Sequence, residues 1–128
     1  MRRGASSIEA AFIFPMLLAL LSAVFDASWY LHRRAMVAEA AQVGARAASV
    51  AYDVTALDTA AETAVTRRLT ALGVDPSGAS ILTTLNTTGV VDAVEVDVTV
   101  AHTPIMGFIP VLQSIHCRAS VAYEDPGS

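Results

Sequence analysis

From Ala10 to Leu31 the chain reads AAFIFPMLLALLSAVFDASWYL, 22 residues with one charge, Asp26. Crossing about 30 Å of hydrocarbon takes about 20 residues of helix, and a single segment can satisfy its own backbone there only as a helix. The run therefore predicts one transmembrane helix, with a span at about 10–31. Trp29 and Tyr30 close it, and His32, Arg33 and Arg34 follow, the order of an aromatic belt and a charged stop. A cleaved secretory signal competes with this reading, because Arg2 and Arg3 precede the apolar run. Two features oppose it: the run exceeds the usual stretch of about 7–15 residues, and bulky and charged residues occupy the place of a small-x-small cleavage site. Positive charge does not orient the span, since Arg2 and Arg3 on one side face Arg33, Arg34 and Arg46 on the other.

The rest of the chain is enough for one further domain, at 128 residues in all. All eight basic residues are arginine and the net charge is −4. Residues 1–46 hold five arginines against three acids, and residues 47–128 hold three against nine. An acidic extramembrane part disfavours a nucleic-acid partner. Cys117 is the single cysteine, so no intrachain disulfide can form.

After Arg34 the segment AMVAEAAQVGARAASVAY is rich in alanine and lacks proline, so the first helix is expected to continue to about Ala51, on the order of 70 Å from Ala5. Ala38, Ala41, Ala45 and Ala48 fall on one face of it, a small-residue stripe suited either to packing on its own domain or to contact with another subunit. Pro15 removes a backbone donor and is expected to kink or locally melt the span.

A second helix is predicted from Asp58 to Leu72, with Ala61, Val65, Leu69 and Leu72 at helical spacing, a Thr59/Glu62 capping box and a stop at Gly73. A turn at Asp75–Gly78 leads to strands at about Ser80–Leu85, Ala93–Ala101 and Ile115–Tyr123. Val94, Val96, Val98 and Val100 alternate with Glu95, Asp97 and Thr99, and antiparallel pairing with the last strand sets Arg118 near Glu95 or Asp97. Between those strands HTPIMGFIPVLQS is broken by Pro104, Gly107 and Pro110 and reads as a loop. Its Ile105, Met106, Phe108 and Ile109 suit either a flap over the domain core or a contact for another subunit. The fold class is α+β: a long N-terminal transmembrane helix, a second helix and a small antiparallel sheet.

No phosphate loop, nucleophile elbow or metal-ligand spacing occurs, so neither a catalytic residue nor a metal or other cofactor is expected. His102, His116 and Cys117 are the nearest thing to a ligand set, but adjacent strand residues point to opposite faces. Asp26, late in the span, is expected to pair across helices with an arginine such as Arg33 or Arg34 of a neighbouring subunit.

Glu9 is the remaining anomaly, a carboxylate at the mouth of a hydrocarbon-spanning helix, five residues after Gly4 in a basic stub. That spacing resembles a prepilin of the type IV pilin superfamily. With Pro15, Asp26 and the stretch Gly44, Ala45, Arg46, Ala47, Ala48, the resemblance narrows to the TadE-like pseudopilins of the tight-adherence (Tad, or Flp) pilus system. The run from Val94 through Pro104 and Pro110 to Ser120 is similar in layout. Departures are the short stub Met1–Gly4, Ala10 where a bulky residue is common, and Asp26 in place of the more usual Glu.

The resemblance implies a pilin-like fold and cleavage by a prepilin peptidase after Gly4, which frees the amine of Ala5. It also implies that Glu9 of a neighbouring subunit neutralises that amine. The chain then divides into a leader (1–4), a long helix (5–52) and an extracytoplasmic domain (53–128). Its partners are other pilin or pseudopilin subunits, the pilus assembly platform and the lipid bilayer. Its place is the bacterial inner membrane as a single-pass protein with a periplasmic or extracytoplasmic C-terminal domain, or the pilus fibre. The alternatives are an uncleaved single-pass accessory subunit without enzymatic activity and a small tethered enzyme, for which no constellation speaks.

Overall fold

The computed structural model describes residues 3–51, 53–107 and 113–123, with backbone alone for residues 3–8 and 10. Expectations that fall on Met1, Arg2, Tyr52, Phe108, Ile109 and Pro110 lie outside the described residues.

Alanine and leucine hold a single helix, α1 (Arg3–Ser49), 47 residues and on the order of 70 Å long. It passes through Pro15 without a break in helical backbone, so the proline does not melt the span. Helix α1 is long and apolar enough to cross a membrane. A 3-10 turn (Val54–Ala56) follows, capped by Asp53, whose Oδ1 accepts from the Thr55 amide at 3.2 Å.

Helix α2 (Leu57–Ala71) buries Leu57, Ala61, Val65 and Leu69, one residue per turn on one face. The predicted Thr59/Glu62 capping box is not used. The chain turns helical already at Leu57, behind an Ala56 cap that makes no side-chain bond, so Thr59 lies inside the helix. The C-terminus ends as expected at Gly73, with φ +74°. Its amide donates to the Thr70 carbonyl at 3.0 Å, and that of Val74 to the Leu69 carbonyl at 2.9 Å, the paired bonds of a Schellman stop.

Three strands form an antiparallel meander in sequence order: β1 (Ser80–Asn86), β2 (Ala93–Ala101) and β3 (Ser114–Ala122). The register sets Leu82 opposite Asp97 and Asp97 opposite Arg118, with Val98 opposite Cys117 one step away on the other face. One face is dry, built from the four valines of β2 together with Ile115, Cys117 and Ala119. The other carries Glu95, Asp97, Thr99, His116 and Arg118.

The dry face is covered by the C-terminal half of α1 and by α2. Val37, Ala40, Ala41, Ala45 and Ala48 are fully buried in the same core as Leu69, Val96 and Ile115. Of the two roles open to the alanine stripe, it takes packing on its own domain, with Ala38 only half-buried. Gly44 makes the close crossing possible: a Cβ there meets Val65 Cγ2 at 2.4 Å and the Ala61 carbonyl oxygen at 3.4 Å.

Candidate functional site

Three places on this scaffold carry polar groups whose setting needs a reason. The first is the start of α1. The backbone is helical from Arg3, so the Gly4–Ala5 peptide bond lies in the first turn, and Glu9 is exposed one to two turns later. Beyond it Phe12, Phe14, Met16, Leu17 and Leu20 stand bare on all sides of the helix.

The second is a collar around α1 where the apolar run ends. Asp26 is only 2% exposed. Its Oδ1 accepts from the Met106 amide at 2.8 Å, from a loop 80 residues away in sequence. The sequence expectation set Asp26 against an arginine of a neighbouring subunit; within the chain it already serves its own β2–β3 loop. One turn along, Tyr30 packs edge-on against His102, ring centroids 5.3 Å apart. His102 is buried, and its Nδ1 finds no hydrogen-bond partner among the described residues. Burial, with the Arg33 charge nearby, holds the imidazole below its ordinary pKa, against the opposing pull of Asp26. The His102 amide donates to the Gln113 carbonyl at 2.9 Å and closes the root of the loop.

Ile105 and Met106 at the described tip are 61% and 53% exposed. A flap over the core does not form at these two residues, because the loop backbone goes to Asp26 and the side chains are turned outward.

The strand direction explains why this loop meets the span. β3 runs alongside α1 in the same sense: the Cys117 thiol donates to the Arg34 carbonyl at 3.7 Å, and Ser120 and Val121 line a cleft with Gln42 and Arg46. The β2–β3 loop therefore points back toward the apolar end of the helix. Burial raises the Cys117 thiol above its usual pKa, which makes it a packing residue and a poor nucleophile.

The third is the outer face of the sheet. Arg118 Nε donates to Asp97 Oδ1 at 2.9 Å, and its Nη1 lies 3.6 Å from Glu95 Oε2. His116 Nε2 is 3.1 Å from the same Asp97 oxygen. The Arg118 bond, aided by His116, holds the Asp97 carboxyl below its usual range. This is the cross-strand pairing that alternation predicted. His116 faces out with it while Cys117 faces the core, so the two do not converge on one metal position. Among the described residues no group of three or more His, Cys, Asp or Glu side chains is placed to hold a metal ion.

Gly4, Glu9, Pro15, Asp26, Arg33 and Arg34 all lie on α1, and the comparison with known families falls on the same helix. The family model described as TadE-like protein matches residues 4–46. Over its N-terminal third the chain is similar to that family. The match stops before α2 and the sheet, so the similarity of layout suggested for Val94–Ser120 lies outside it. No curated protein and no solved structure matches the chain.

Sequence reasoning missed His102 as a buried residue and Met106 as the partner of Asp26. A partial signal was present, an unusually apolar loop beside a late-span acid, but nothing local linked positions so far apart.

Proposed function

We propose that the protein is a minor pseudopilin, a structural or assembly component of a Tad/Flp-type pilus apparatus, and that it works by helix packing and not by catalysis. The observation that carries this reading is the TadE-like match over a helix whose residues 11–21 are bare of intrachain cover. In the proposal a prepilin peptidase cuts after Gly4, and the new Ala5 amine is neutralised by Glu9 of a neighbouring subunit. An unpaired charge in a low-dielectric bundle is penalised, so this pair selects axial register. Arg33, half-buried, and Arg34, exposed, are offered to acids of neighbouring subunits. The span sits in the inner membrane with the sheet domain on the extracytoplasmic side, and the assembly platform and other pilins are its partners.

Helical backbone at the Gly4–Ala5 bond favours one competing reading, an uncleaved single-pass anchor, because a protease that takes its substrate extended must first unwind that turn. N-terminal sequencing of the protein purified from membranes separates the two. A chain starting at Ala5 supports the pseudopilin; one that keeps Gly4 overturns processing. Glu9→Gln then tests register: processing and insertion persist, while recovery with partner pilins is lost. Undiminished recovery removes the charge-pairing role.

A further inference from the structure

We propose that the β2–β3 loop is a second membrane contact, with Ile105 and Met106 seated in the interface of the bilayer leaflet beside the domain and Asp26 holding the loop there. The inference rests on the reading of α1 as membrane-spanning. The Met106 amide bonded to Asp26 at 2.8 Å fixes the loop's height along α1. Residue 26 lies one turn, about 6 Å, toward the apolar end from Tyr30, so the loop tip meets the helix just inside the Trp29–Tyr30 belt. Val24 and Phe25, which precede Asp26 on α1, are bare, as are Ile105 and Met106 on the loop that Asp26 holds.

The described loop residues Thr103–Gly107 carry no charge, whereas Arg33 and Arg34 stand beyond the belt on the polar side. Apolar groups at this height are covered by headgroups and upper acyl chains, where interfacial elements sit about 5–10 Å deep. The bond to Asp26 also gives the aspartate a reason to be late in an apolar run: it takes up a backbone donor that the lipid cannot satisfy. Two contacts with the bilayer, helix and loop, limit the tilt of the sheet domain against the membrane plane.

Depth-dependent fluorescence quenching tests this on the full chain in vesicles of phosphatidylethanolamine and phosphatidylglycerol doped with brominated phosphatidylcholine. Trp29 is the single tryptophan, so Trp29→Phe clears the background. Ile105→Trp, at an exposed position, is expected to lose about half its emission to bromines near the headgroup and less to deep ones, independent of protein density. Phe14→Trp reports the span and is quenched best by deep bromines. If Phe14→Trp is quenched and Ile105→Trp is not, the loop contact is overturned and the span stands. A blue shift at position 105 that grows with protein density, without quenching, means that another protein chain covers the loop, and also overturns it. If neither position is quenched, the span reading fails and the docking fails with it. Adding Asp26→Ala should reduce quenching at position 105 and leave position 14 unchanged; unaltered quenching at 105 removes Asp26 as the anchor.

Discussion

The two halves of α1 invert the rule that large apolar residues go inside and small ones stay at the surface. In the first half large side chains stand exposed, Phe12 at 78% and Met16 at 77%. In the second half Ala40, Ala41, Ala45 and Ala48 are fully buried. A helix in water with that distribution leaves a patch far larger than monomers tolerate. The inversion makes sense if the two halves have different neighbours. Lipid accepts any bulky apolar surface, whereas a sheet that is approached closely favours side chains as small as a methyl group.

The largest expected effect comes from separating the halves at the wrong place. A fragment of residues 53–128 loses the α1 cover over Val96, Val98 and Ile115 and is expected to show no cooperative melting transition. One of residues 33–128, which keeps the alanine face, does. Since a domain of this size is stable by only about 5–15 kcal/mol, losing one wall of its core removes most of that margin. Thermal circular dichroism on both fragments checks it, and equal transitions break the comparison by showing that the alanine face is not needed.

A charge in the bare half should act only on the membrane. Leu18→Arg is expected to cost about 3 kcal/mol in insertion and leave the domain's melting temperature unchanged. Alkaline extraction of membranes reads the first and circular dichroism in detergent the second. The reciprocal change is Gly44→Ala, which drives a Cβ into the Val65 side chain. Overpacking costs about 1–3 kcal/mol and helix propensity returns about 1, so a net loss of up to about 2 kcal/mol of domain stability is expected, with insertion intact.

At the junction of the halves, acidification should weaken the collar. The His102 pKa is lowered in the fold, so below the ordinary value of 6.5 the unfolded chain takes up a proton that the buried ring resists. Stability therefore falls as pH drops through and below 6.5, levelling once the folded ring is protonated as well. Asp97 acts in a separate window, contributing above its ordinary 3.8 and losing that contribution as pH falls further through its lowered value. Melting curves from neutral pH to pH 5 should show the His102 slope in the native chain and a flatter profile in His102→Phe. The smallest effect is expected from Arg118→Ala, whose exposed pairs with Asp97 and Glu95 stabilise no more than ordinary surface contacts; a large drop in melting temperature would mean that this outer face is load-sharing with the core.

Most of the sheet was legible in the residues. Alternation at Val94–Val100 located β2 within its observed bounds and brought Arg118 to Asp97, because a strand's period of two leaves one choice of dry face. Gly73 marked the end of α2, since its positive φ is costly for a residue with a Cβ. Thr59 misled because a capping box is a pattern of residue types, and the same types occur inside a helix that starts earlier. On α1 the positions of Gly4, Glu9 and Asp26 were visible as anomalies, while the burial of His102 was not, as a lone histidine at a strand end looks alike whether covered or bare.

The sequence by itself determined that one helix is long and apolar enough to cross a membrane, that its extension is helical, and that a small sheet with one dry face follows. These follow from local periodicity and from the length of the apolar run, which act over a few neighbouring residues. Only the tertiary structure decided what covers what. It turned the alanine stripe onto the chain's own sheet, required a glycine where α1 meets Val65, and joined Asp26 to the amide of Met106. Each of those depends on how the sheet and α2 lie along α1, and a choice between packing directions is set by the fit of whole surfaces, which no short stretch of residues carries.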